Sequence, residues 1–247
     1  MRKLMRQMHI SYYRKKVNTN PVIRCGPRTY NGKVHNSVWK VEDSRRSEIH
    51  YENTPKGISF LKTKNESDHD SMIVSKLESE WIGKYGTSCQ DVDLTDYEAT
   101  PNRQLFDSLV CGKNPYNVNY KLSYNGILFN SNLELQFAKI MDDYGIPYKY
   151  EPEITVYDGR NRYPDFVIYL PWLDLIILVE IFGLCDKDNY INSVRDRIYD
   201  YMKSGWQPGR SMMMLYHYDQ EIILPEMIME EIETVAMREY LLMNKAA

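Results

Sequence analysis

The chain of 247 residues is 43% hydrophobic and 26% charged, a balance that fits a globular protein and excludes a low-complexity chain. Its four cysteines, Cys25, Cys89, Cys111 and Cys185, are widely spaced and form no CxxC pair, which argues against a zinc ribbon or a disulfide framework and for a reducing compartment. The net charge of −3 hides an asymmetry: residues 1–64 hold 15 Lys/Arg against 4 Asp/Glu, a balance of +11, whereas residues 65–247 carry −14.

No stretch approaches the ~20 apolar residues of a membrane span, and the N-terminus lacks an apolar signal core. The sequence therefore predicts a cytoplasmic protein with no membrane partner. Its length suits a core domain with a substantial extension.

Residues 1–64 read as a small basic module or arm, with β-like pieces at Ser37–Val41 and Gly57–Leu61. Aromatic residues Tyr12, Tyr13, Tyr30, Trp39 and Tyr51 are interleaved with its charges, a composition suited to nucleic acid. The alternative is that the arm folds back on the acidic body and neutralises it. Residues 65–119 read as a helical connector. Met72 or Ile73, Leu77 and Trp81 fall at helical spacing between Asp70 and Tyr85, with a stop at Gly83 or Gly86, and a short helix lies near Arg103–Val110.

Residues 120–247 carry the sharpest signals. Tyr124–Phe129 leads into a helix with N-cap Ser131 and an apolar stripe of Leu133, Phe137, Ile140, Met141 and Tyr144, stopped at Gly145-Ile146-Pro147. Strand-like Tyr148–Pro152 and Ile154–Tyr157 follow, with a turn at Asp158-Gly159. A hairpin pairs Asp165–Leu170 with Leu175–Ile181. Then come an amphipathic helix from Asp186 to Lys203, a strand Ser211–Tyr218 and a terminal helix from Leu224 to Leu242. The order α-β-β-β-α-β-α gives a mixed α/β domain.

Three carboxylates stand out. Glu180 follows five consecutive apolar residues, the pattern of a strand buried on both faces, where an ionised group is costly without a cation or metal. Asp165 begins the partner strand and faces Glu180 across the pair. A divalent cation would relieve their repulsion; the alternative is a buried ion pair with Arg160, Arg162 or Arg197. Glu134 stands three residues after Ser131, so it could complete a capping box or join the other two acids. Asp68-His69-Asp70 has no supporting second cluster and reads as a polar loop. His9, His35, His50 and His217 share no ligand spacing, and no glycine-rich phosphate loop is present.

Phe129-x-Ser131-x-x-Glu134-x-x-Phe137-Ala138, Tyr148-x-Tyr150-Glu151-Pro152, Tyr163-Pro164-Asp165-Phe166 and Val179-Glu180-x-x-Gly183 stand in an order that resembles the PD-(D/E)xK nuclease superfamily. The resemblance spans roughly residues 120–220. It implies a restriction-endonuclease-like core, a mixed sheet flanked by helices, preceded here by the basic extension. It implies a metal-dependent endonuclease that hydrolyses double-stranded DNA, with Asp165, Glu180, the Ile181 carbonyl and Glu134 around Mg2+ (or Mn2+). Phe182 stands where the superfamily has its lysine. Some members move that cation to the following helix, which here offers Lys187 and Arg197, ahead of Lys203. The alternative is a degenerate nuclease fold that binds DNA without cutting, or a subunit of a recombination, transposition or defence assembly, as a homodimer or with a partner protein. The Asn-, Tyr- and Lys-rich composition points to a phage or mobile-element source.

Overall fold

The computed structural model describes residues 1–95, 100–112, 114–115, 122–183, 188–216 and 223–243, with backbone only over 188–193. It opens with helix α1 (Arg2–Thr19), then strands β1 (Ile23–Tyr30), β2 (Lys33–Glu42) and β3 (Arg45–Tyr51), and a 31-residue helix α2 (Pro55–Tyr85). The strands form an antiparallel sheet in the order β1-β2-β3. Asn31 and Gly32 join β1 to β2 at φ 49° and 73°, the left-handed pair of a tight hairpin turn that Asn-Gly favours.

Two compact units divide the chain: Ile10–Val92, and Met1–His9 together with Asp93–Ala247. The basic segment therefore contributes residues to both. Within Ile10–Val92, ion pairs Arg14–Glu78 (2.6 Å) and Lys16–Asp70 (2.7 Å) tie the later part of α1 to α2. Ile73, Leu77 and Trp81 form the buried stripe of α2, as their spacing predicts.

The larger unit continues with α3 (Pro101–Ser108), β4 (Leu122–Tyr124), β5 (Ile127–Phe129), α4 (Asn132–Asp143) and β6 (Tyr148–Tyr150). After these come β7 (Ile154–Thr155), β8 (Asn161–Arg162), β9 (Phe166–Leu170), β10 (Leu175–Phe182), α5 (Asp188–Lys203), β11 (Met212–Tyr216) and α6 (Pro225–Met243). A four-stranded sheet runs β11-β10-β9-β6, with β10 parallel to β11 and antiparallel to β9. Every residue of β9 and β10 is buried, which is what their unbroken apolar runs require. One face of the sheet packs Val167, Tyr169, Ile176 and Leu178 with Phe106 and Tyr201. On the other, Phe166 meets Phe137 (4.7 Å) and Tyr150 (5.3 Å between ring centres). Across the described residues the protein is mixed α/β, with six helices and several small sheets. Among them no helix is long and apolar enough to cross a membrane.

Two readings of the early sequence are corrected. Gly57–Leu61 is the start of α2, not a strand, and Asp68-His69-Asp70 lies on the same helix, not in a loop. Thr54 caps α2, its hydroxyl accepting from the Gly57 N–H (3.1 Å), with Pro55 at the first helical position; that pairing overrides the alternation of Ile58 and Phe60. Gly57 is needed because the helix start passes close to β3. A Cβ there would lie 2.0 Å from the Tyr51 carbonyl oxygen, whereas one at Gly83 would meet nothing within 4 Å. Gly57→Ala is expected to destabilise the protein by about 1–3 kcal/mol, read as a lower urea midpoint at unchanged slope. Gly83→Ala should be neutral or stabilising by up to about 1 kcal/mol.

Candidate functional site

The β9–β10 register brings the two principal acids together. Phe166 pairs with Val179 and Val167 with Leu178, so the next position of the ladder sets Asp165 opposite Glu180. Side chains alternate along a strand, which puts both carboxylates on the face of Val167 and Leu178, at its end. Glu180 is completely buried, whereas Asp165 retains partial exposure. The Ile181 N–H donates to Asp165 Oδ2 (2.6 Å); the contact is made by the amide of Ile181, the residue whose carbonyl the sequence nominates as a ligand.

Glu180 meets α5. The Tyr201 hydroxyl donates to its Oε1 (3.0 Å), and Arg197 Nη1 lies 2.9 Å from its Oε2, an ion pair without the alignment of a hydrogen bond. Arg197 and Tyr201 are four residues apart and so share one helix face. The same guanidinium stands 5.7 Å from the centre of the Phe182 ring. A cation from α5 thus lies beside both Glu180 and Phe182. Arg160 and Arg162 are engaged elsewhere: both donate to the buried carboxylate of Asp200, Arg160 Nη2 at 3.0 Å and Arg162 Nε at 2.8 Å. Among the three arginines that the sequence offers Glu180, Arg197 makes the pair.

Glu134 completes the capping box. Ser131 caps α4, accepting from the Glu134 N–H (3.2 Å), and the Glu134 carboxylate turns back to accept from the Asn130 N–H (3.1 Å). The same oxygen accepts from the Tyr150 hydroxyl (2.6 Å). Its negative charge also acts on both other acids. Lys187 lies outside the described residues. Lys203 is exposed, its ammonium 5.6 Å from the Tyr199 ring.

The sequence reading does not assign roles to Glu151, Tyr150 or Tyr201. Glu151 is buried and holds φ 44° directly before Pro152, a conformation disfavoured for a non-glycine residue and further crowded by the proline. It is fixed from both ends. Its N–H donates to the Asp165 carbonyl (3.1 Å), and its Oε1 accepts from the amides of Asn114 and Asn130 (both 2.9 Å). Asn130 thereby links Glu134 and Glu151, while its own buried Oδ1 has no hydrogen-bond donor. Strain held this way is characteristic of functional sites.

The charge balance follows from burial. The Asp165 carboxyl is held well above the usual carboxylate range by burial, then by the charges of Glu180 and Glu134, against the opposing Ile181 N–H and Arg197. Burial also raises Glu180, with Arg197 and the Tyr201 hydroxyl opposing. Glu134 is raised by burial against its hydrogen bonds from Tyr150 and Asn130. Arg197 thus opposes the rise of both Asp165 and Glu180, with Arg162 adding to its effect on Glu180. Among the described residues no three His, Cys, Asp or Glu side chains form a ready metal cage. His9 is a structural group: it is buried, its ring nitrogen bonds the Tyr144 carbonyl (2.9 Å), and burial pulls it down to about 3.

Arg197→Met should cost about 3–5 kcal/mol of stability, because it strands a buried charge. The loss should be smaller at pH 5 than at pH 8. With its cation gone Glu180 takes up a proton in the fold more readily than in the unfolded chain, and such a group lowers stability as pH rises above its unfolded value. The double variant Arg197→Met/Glu180→Leu should recover most of the loss in a thermal melt. Comparison of the chain with family models, with curated proteins and with solved structures finds no match to any of them.

Proposed function

We propose that the chain is a metal-dependent endonuclease that hydrolyses DNA phosphodiester bonds on a restriction-endonuclease-like core. The observation that carries this reading is the Asp165–Glu180 pair at the end of the β9–β10 hairpin, with Arg197 returning from α5 to the place beside Phe182. A simple structural ion pair would need one carboxylate for one guanidinium. Here Asp165 and Glu134 add two further carboxyl groups to the same region, both raised by burial and so costly to ionise there without a further cation. That excess, together with the donorless Asn130 Oδ1, fits a divalent cation. The lack of a three-residue cage is compatible with Mg2+, which keeps several waters and takes one or two carboxylates.

Asp165 and Glu180 would hold Mg2+ (or Mn2+), with the Ile181 carbonyl and Glu134 nearby. When bound, the ion would lower the pKa of a water and offset charge on the phosphate. Arg197 stays protonated and so cannot act as the base; it supplies positive charge toward the phosphate. The ionised Glu134 carboxylate, made more basic by burial, is the better group to accept a proton from the attacking water. Tyr150 and Glu151 hold this arrangement in register: the first fixes Glu134 and the second fixes the Asp165 backbone. The basic segment 1–64 would add phosphate contacts and make binding strongly salt-dependent.

The test is nicking of supercoiled plasmid in Mg2+ and in EDTA. Asp165→Asn and Glu180→Gln should each slow metal-dependent nicking by about a hundredfold or more, and Arg197→Met by about a hundredfold. Undiminished cutting in the carboxylate variants would sink the site assignment. A second reading has its own observation: Arg197 already neutralises Glu180, as a relic that binds DNA without cutting would require. Titration calorimetry separates the two. Absence of Mn2+ heat and of nicking, with DNA binding retained, would favour the relic.

A further inference from the structure

Side-chain alternation sorts the charges of the β1–β2–β3 sheet. Val38 pairs with Cys25 on one side and His50 on the other, and His50 meets Phe60 of α2 (5.2 Å between rings). This face therefore looks toward α2. Lys40, paired with Ile23, shares it. So does Glu42, which pairs with Lys40 at 2.6 Å; Glu48, at the bulge of β3, also acts on that ammonium.

The intervening positions point away from α2. They are the pairs Arg24↔Trp39, Arg28↔His35 and Tyr30↔Lys33, with Ile49 and Tyr51 alongside on β3. Arg46 lies over the Trp39 ring at 4.5 Å. Among the described residues, Arg24, Arg28 and Lys33 have no carboxylate partner. Tyr30 is 63% exposed and Tyr51 41%. Ser37 lines a hollow of about 330 Å3 at the end of the sheet, bounded by Arg28, Tyr30, Ile49 and Tyr51 and, at the edge nearest the start of α2, by His50 and Thr54.

Arg46 likewise has no carboxylate partner among the described residues, and four such cations complement a polyanion. A small hollow between exposed tyrosines, with an arginine beside it, complements a flat ring attached to a phosphate. Duplex DNA keeps its bases stacked and cannot offer one; an unpaired segment can. We infer that the face of β1–β2–β3 turned away from α2 binds a single-stranded nucleic-acid segment. Arg24, Arg28, Lys33 and Arg46 take its phosphates, and one base enters the hollow between Tyr30 and Tyr51. The inference rests on the nuclease reading for its biological substrate, DNA with an unpaired stretch, but binding itself does not depend on cleavage.

Fluorescence anisotropy of the full chain in EDTA tests it, with a labelled single strand of about 20 nucleotides and the matching duplex. The protein should prefer the single strand. Arg24→Gln/Arg28→Gln should flatten the plot of log affinity against log salt by about 1.4, since each phosphate contact on a single strand contributes about 0.7; Arg24→Lys/Arg28→Lys should restore it. Tyr30→Ser and Tyr51→Ser should each weaken the single strand about tenfold, with the duplex nearly unaffected. An unchanged salt slope in the glutamine variant overturns the proposal. So does equal weakening of single strand and duplex by the tyrosine variants, provided melting temperatures match the wild type. Wild-type protein that shows the expected binding but nicks no plasmid would overturn the nuclease reading alone.

Discussion

The cost of keeping Glu180 charged inside a dry sheet governs the larger unit. β10 is buried along its whole length because it is flanked by β9 and β11 and covered on both faces. A carboxylate at its end survives only if other groups compensate for lost water. That demand fixes the contents of α5, where Arg197 and Tyr201 must share one face. Asp165, directly across the ladder, is driven toward its neutral form first by its own burial and then by the charge of Glu180. A site that keeps acids close and undercompensated is poised to take up positive charge, and a structural ion pair alone leaves that surplus unexplained.

Much of this was legible in the sequence because it depends on local patterns. The run Leu175–Val179 followed by Glu180, and the turn-length gap back to Asp165, identify the hairpin and its register. Ser131 and the stripe through Phe137 and Met141 identify α4. The choice among Arg160, Arg162 and Arg197 was not legible. It depends on which way α5 faces the sheet, and on Asp200 drawing two of the arginines aside. Tyr150 and Tyr201 were equally silent, since a phenol reads as core until its hydroxyl is placed. Glu151 gave one signal, an acid just before a proline, but its left-handed backbone appears only in three dimensions.

The first ninety residues were read less well, for a different reason. In α1 four consecutive residues, Met8 to Ser11, are buried together with Met5 and Tyr13, so no single apolar stripe announces the helix, and arginines and lysines are interspersed among them. Ile58 and Phe60 alternate as strand residues do, and only Thr54-Pro55 announces the helix. Asn31-Gly32 was the available clue to the first hairpin. Where apolar content is low, turn and cap chemistry carries more information than hydrophobic periodicity.

Asp200 adds a consequence for how this chain can vary. It lies three residues beyond Arg197 and one before Tyr201, clamped by Arg160 and Arg162 of the β7–β8 hairpin. The hairpin thus indexes the rotation of α5 about its own axis. Inserting one residue between 197 and 201 would turn the later part of the helix by about 100° relative to the earlier part. The clamp and the Glu180 contacts could not then be made together. Inside α5, between Arg197 and Tyr201, only changes that keep this phase are compatible with a charged Glu180.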